Sequence, residues 1–131
     1  VMELVEGLER TVDGYAEGGR IVFGHPKTRE AMRAGLAMHF ETLDAPELMG
    51  VAATLVEGFG LDGFFNLQLI GDAVLEMNPR ISTIVYQDDL NLPWLGVKRA
   101  LGELSDAEAA AAQARVQPGR IALRYFDQLE Y

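Results

Sequence analysis

The segment GFFNLQLIGDAVLEMNPRIS, residues 63–82, carries Gln68, Glu76, Asn78 and Arg80. It reads as two short strands about a tight turn. Side chains alternate across a strand. Phe65, Leu67 and Leu69, with Leu75 and Met77, therefore form an oily face, and Asn66, Gln68, Glu76 and Asn78 share the other. For Gln68 to sit opposite Glu76 the turn must hold an odd number of residues, and Gly71, Asp72 and Ala73 could supply it. A carboxylate and two amide oxygens then converge. That is a hard-oxygen site, suited to Mg2+ or Mn2+ that also holds phosphates. Arg80, two positions past Asn78, could make bidentate contacts to a phosphate. The alternative is that these side chains are the solvated face of a two-stranded ribbon.

A second constellation is basic. In PKTREAMRAG, Lys27, Arg29 and Arg33 stand at even spacing and share one face of an extended chain. The net charge is −9, so three cations facing one way suggest an anion. An exposed edge strand guarded by charge is the competing reading. His25 and His39 have no partner at metal or base spacing and are read as structural, and Trp94 as a packing residue.

The elements that must position these groups follow from local pattern. Residues 1–5, 8–16 and 20–25 read as strands, with a turn at AEGG (16–19) and Pro26 ending the third. Residues 27–33 are loop or strand, and 36–43 alternate as an extended segment. A helix is expected over 45–58: Asp44 and Glu47 have capping-box spacing, Pro46 suits the first turn, and Gly58 or Gly60 can end it. Its apolar stripe is Leu48, Val51, Ala52, Leu55 and Val56. A helix over 92–101 is capped by Asn91 and one over 106–114 by the Ser105/Glu108 box; residues 120–126 form a late strand. The fold class is α+β, a mainly antiparallel sheet backed by helices.

Composition sets limits. The 131 residues suit one domain or a piece of a larger protein, and 49% hydrophobic content supplies a core. The acidic balance argues against nucleic acid and against anionic membranes as partners. No cysteine is present, which excludes a disulfide framework, and two histidines make zinc an unlikely resident. No apolar run reaches about 18 residues and no signal peptide is evident, so a cytoplasmic location is expected.

FNLQLIGDAVLEMNPRIS resembles the signature of the ATP-grasp superfamily, which includes carbamoyl phosphate synthetase large subunits, biotin carboxylases and carboxylate–amine ligases. The resemblance implies the C-terminal lobe of that fold. It implies that Glu76 and Asn78 bind the magnesium ions bridging the ATP phosphates, with Gln68 at the metal position of the preceding strand and Arg80 against the transferred phosphoryl group. MELVEGLERTVDG is similar to the family segment that enters this lobe, which places Glu3 beside the adenine and Glu9 at the ribose hydroxyls. PKTREAMRAG resembles the basic strand of the carboxylate–amine ligase branch, so Lys27, Arg29 and Arg33 would face the γ-phosphate or the substrate carboxylate and its acyl phosphate. DDLNLPWLGVKRALGE is similar to the helix after the metal strand, with Asp89 where a glycine is usual.

The reaction so implied is ATP-dependent activation of a small carboxylate as an acyl phosphate, then attack by an amine. The alternatives are a carbamoyl phosphate synthetase or biotin carboxylase type of ending, or a non-catalytic lobe used for binding or assembly. The apparently buried strand at Val1–Val5, with no Met at position 1, suggests a fragment whose N-terminal lobe is missing. Such a fragment alone is expected to bind ATP weakly and turn over little. A homodimer is compatible with the sequence.

Overall fold

The structure, a computed structural model, describes residues 4–83 and 90–125. Its elements are β1 (Glu9–Glu17), β2 (Arg20–Thr28), β3 (Glu30–Arg33), β4 (Leu36–Glu41), α1 (Pro46–Phe59), β5 (Gly63–Ile70), β6 (Ala73–Asn78), α2 (Leu92–Ala100), α3 (Asp106–Gln113) and β7 (Ile121–Leu123). The strands form a four-stranded antiparallel sheet in the order β2-β1-β5-β6 and a three-stranded antiparallel sheet in the order β3-β4-β7. This is the expected α+β arrangement.

Period-two alternation gives the larger sheet two unlike faces. Val12, Ala16, Phe65, Leu67 and Leu69 turn to one face and meet Leu48, Ala52 and Val56 of α1. On the other face Tyr15, Phe23 and Phe64 pack with Leu92, Ala109 and Ala112 of α2 and α3. Farther along those same strands the second face becomes polar. Thr11 pairs with Lys27 and Gln68, and Asp13 with His25 and Asn66. Two glycines permit this layering. A Cβ on Gly14 would lie 2.5 Å from the Phe65 ring, and one on Gly96 would lie 2.2 Å from the Phe64 ring.

Helix α1 corrects one expected cap. Its N-cap is Ala45, with no side-chain cap hydrogen bond. Ala45 is drawn into the core beneath the sheet, which leaves Asp44 one residue too early to cap. The helix holds because full burial of a residue such as Leu48 or Val56 is worth about 1.5–3 kcal/mol, against about 1 kcal/mol for a cap. Gly60, in the left-handed region, ends it. Val51 lies outward, 37% exposed, so the buried stripe is narrower than expected. The other two helices begin as read: Asn91 accepts from the Trp94 backbone N–H, and Ser105 and Glu108 form a reciprocal capping box. Trp94 itself is 58% exposed and does not pack in the core.

Three strand expectations are also corrected. Residues 1–3 lie outside the described residues, and Leu4 and Val5 are not in a strand, with Leu4 exposed. β2 runs through Pro26 to Thr28. The Pro26 carbonyl accepts from Leu43 N at 2.9 Å, so this residue's ladder groups point away from β1, where a missing N–H breaks no pairing. The late strand spans Ile121–Leu123 alone among the described residues. The two sheets join where Lys27 bridges Thr42.

The β5–β6 hairpin reaches its expected pairing by another route. Ile70 pairs with Ala73, so the turn is Gly71-Asp72 and contains two residues, with Gly71 at φ 54°. A β-bulge then restores parity: Leu69 faces Val74 and Gln68 faces Glu76, which leaves Leu75 as the extra residue. Leu75 is therefore 47% exposed and absent from the oily face, whereas Met77 packs on the core. Among the described residues no helix is long and apolar enough to cross a membrane.

Candidate active site

The polar end of the larger sheet floors a cleft of about 470 Å³. Asn66 and Gln68 of β5 and Glu76 of β6 line it, with Glu9 and Arg29 beside them. Met32, Gly35 and Leu36 of the β3–β4 hairpin border it, and so do Arg80, Ser82 and Thr83 beyond β6. Strand pairing is what brings these groups together. Gln68 lies opposite Glu76, and Asn66 opposite Asn78.

Glu76 is the hub. Its Oε1 accepts from Gln68 Nε2, and from Asn78 Nδ2 at 3.0 Å. Gln68 Nε2 also donates to Asn66 Oδ1 at 3.0 Å. The Arg29 guanidinium donates to the Glu9 carboxylate and to Gln68 Oε1, so one cation joins β1 to β5 at the cleft. Arg29 is held there because the chain leaves β2 at this point, with the Arg29 N–H donating to the Glu9 carbonyl at 2.8 Å. Arg80 is exposed at the cleft margin, its Nη1 donating to the Ile81 carbonyl at 3.2 Å.

Of the three cations of the basic segment, Lys27 and Arg29 turn to the polar face, and Arg29 alone of the three lines the cleft. Lys27 is fully buried in the sheet, 3.6 Å from the Asp13 carboxylate and 5.3 Å from the Phe40 ring centroid, and does not line the cleft. Arg33 is exposed on β3 and also stands outside it. Arg33 departs because residues 27–33 are not one strand. β2 ends at Thr28, β3 starts at Glu30, and Ala31 takes a positive φ of 49° that breaks the period of two. The residue of β3 that borders the cleft is Met32. Glu3 lies outside the described residues.

Asn66, which the sequence places on the polar face without a role of its own, also lines the cleft. Its position two residues before Gln68 was the available signal. It is 2% exposed, with Nδ2 2.7 Å from Thr11 Oγ1 and 2.9 Å from Asp13 Oδ1.

The donor chemistry fits a magnesium ion shared with phosphates. Glu76 supplies a carboxylate, Asn78 and Gln68 carry amide oxygens, and Mg2+ takes one or two carboxylates plus phosphate oxygens and water. Among the described residues no three His, Cys, Asp or Glu side chains converge as a cage. A divalent ion here would draw its remaining ligands from substrate and solvent.

Residues 1–121 match the family described as "ATP-grasp in the biosynthetic pathway with Ter operon". The chain belongs to the ATP-grasp family. No curated protein matches it. The α+β architecture, with mostly antiparallel sheets and three helices among the described residues, is that of an ATP-grasp lobe. The family assignment carries ATP-dependent, ligase-type function and, as a general property of ATP-grasp domains, use of ATP with Mg2+.

Proposed function

We propose that this ATP-grasp chain supplies the phosphate- and metal-binding wall of a ligase that joins a small carboxylate to an amine through an acyl phosphate. The observation that carries the reading is the convergence of Gln68, Glu76 and Asn78 on one side of a hairpin, with Arg29 and Arg80 on the same cleft. Glu76, Asn78 and Gln68 would hold Mg2+, which neutralises the β and γ phosphates when bound. A substrate carboxylate oxygen attacks the γ-phosphorus and ADP departs; the amine nitrogen then attacks the acyl carbon and inorganic phosphate leaves. Phosphoryl transfer needs positioning and charge stabilisation more than a protein nucleophile. Arg80 offers a planar fork to the transferred group, and Arg29 adds charge from the link between β2 and β3. Glu9 borders the same cleft and, by family resemblance, serves the ribose. The nucleotide's other wall would come from a second lobe, as in the family.

The experiment is a screen of the full-length protein with carboxylate and amine pairs, following ADP and phosphate release and the product by mass spectrometry. Release of ADP that requires both substrates supports the reading. ADP formed from a carboxylate without any amine acceptor, across the whole screen, would contradict the ligation step.

A further inference from the structure

We propose that Thr11, Asp13 and Asn66 are positioning residues that fix which end of the Gln68 amide faces the cleft. The inference rests on the reading of Gln68 as a metal ligand. It starts from where protons must go. Thr11 Oγ1 lies 2.8 Å from the Leu67 carbonyl oxygen, which can only accept, so the hydroxyl proton is committed there. Thr11 Oγ1 is then an acceptor toward its other neighbour, Asn66 Nδ2, at 2.7 Å. The Asp13 carboxylate, beside the Lys27 ammonium, is likewise an acceptor, and its Oδ1 lies 2.9 Å from the same Asn66 nitrogen. Both neighbours select one orientation of the Asn66 amide.

That choice propagates. With its nitrogen committed to Thr11 and Asp13, Asn66 presents Oδ1 to Gln68 and takes a hydrogen bond from Gln68 Nε2 at 3.0 Å. Gln68 Nε2 also serves Glu76. A reversed Gln68 amide would set oxygen against oxygen at both places. The Gln68 nitrogen is thereby held on Glu76 and its oxygen on the Arg29 side, so ligation of a metal beside Glu76 requires the Gln68 amide to reverse against this relay. Strand register places the relay: Thr11 lies across from Gln68 and Asp13 across from Asn66. Thr11 and Asp13 are both 0% exposed, so the direction is set inside the protein.

Two substitutions of the full-length protein test this. Thr11→Val removes the hydroxyl at nearly constant shape, and Thr11→Ser keeps it. One readout is the Gln68 side-chain amide signals by NMR without nucleotide; the other is the Mn2+ dissociation constant in the presence of ADP, by electron paramagnetic resonance. Thr11→Val is expected to shift the Gln68 signals and tighten Mn2+ up to about tenfold, the worth of about one hydrogen bond, with ADP affinity in EDTA unchanged and both effects reversed in Thr11→Ser. Asn66→Ala, which removes the oxygen that Gln68 Nε2 meets, is expected to shift the Gln68 signals in the same way. Gln68 signals unmoved in folded Thr11→Val and Asn66→Ala overturn the relay. Signals that move with Mn2+ affinity unchanged or weakened overturn its part in metal binding. If wild type binds no Mn2+ with ADP, the metal reading fails, while the NMR readout still decides whether Gln68 is oriented from below.

Discussion

The Lys27 ammonium lies 3.6 Å from the Asp13 carboxylate, with side-chain exposures of 0% and 1%. A charge so enclosed is tolerated only when paired, and removing one partner of a buried pair costs about 3–5 kcal/mol. Asp13→Ala should lose that much in equilibrium urea unfolding. Replacing both charges, as Asp13→Asn with Lys27→Met, should recover most of the loss, because two neutral groups of similar volume leave no orphan charge. A loss in Asp13→Ala no larger than about 1 kcal/mol, the value of a surface pair, would show that the pair is open to water.

Gly14 and Gly96 each face an aromatic ring with no room for a methyl group. At Gly96 the obstacle is Phe64, a half-buried ring that can yield. At Gly14 it is the buried Phe65 together with the Phe23 backbone carbonyl, 2.9 Å from the would-be Cβ, and backbone gives less readily. Overpacking of this kind costs about 1–3 kcal/mol. Gly14→Ala is expected at the upper end of that range and Gly96→Ala at the lower, measured as differences in thermal or urea stability. Equal and negligible effects would contradict the packing described.

Position in the cleft separates residues that the sequence treats alike. Glu76→Gln and Asn78→Ala should each reduce ATP turnover of the full-length protein about 100-fold or more. Arg29→Ala should fall with them, since its guanidinium joins Glu9 to Gln68. Arg33→Ala, outside the cleft, should leave turnover within about twofold of wild type. Steady-state ADP release measures all four. A large loss in Arg33→Ala with little in Arg29→Ala would reverse the assignment.

The cap of α3 carries a pH signature. The Ser105 backbone N–H, 2.9 Å from Glu108 Oε2, and the Ser105 hydroxyl hold the Glu108 carboxyl below its ordinary value. A carboxyl lowered in the folded state contributes stability above its unfolded value and loses it as pH falls through the folded one. The Ser105 amide proton should therefore shift in the acid range along a curve displaced to lower pH than that of an unperturbed glutamate. Glu108→Gln should abolish that titration. A wild-type midpoint at the ordinary glutamate value would remove the cap's electrostatic role.

Much of this was legible in the sequence where the determinants are local. Asn91 and the Ser105/Glu108 box cap helices through side chains three residues from their targets, so spacing suffices. Asp44 failed as a cap because a tertiary demand, burial of Ala45, shifted the helix start by one residue. The pairing of Gln68 with Glu76 was readable from face alternation, but its mechanism was not. A two-residue turn with a bulge has the same parity as a three-residue turn, and nothing in the local pattern of Gly71 to Leu75 distinguishes them. The fate of Lys27 was out of reach for a different reason. Its partners, Asp13 and Phe40, lie on other strands, and only the assembled register buries them together. Arg33 leaves the face that even spacing assigns it because the turn at Ala31 interrupts the strand.

Glu76, Asn78 and Gln68 are proposed to form one oxygen cradle for a metal carrying the phosphates of ATP. Diffraction at the manganese edge, from crystals of the full-length protein grown with Mn2+ and a non-hydrolysable ATP analogue, decides whether they do. The expected result is anomalous density in coordination contact with oxygens of Glu76 and Asn78, with the Gln68 oxygen turned toward it and Arg80 on a terminal phosphate. Manganese and triphosphate bound elsewhere, with Glu76 still accepting from the Gln68 and Asn78 nitrogens, would contradict it.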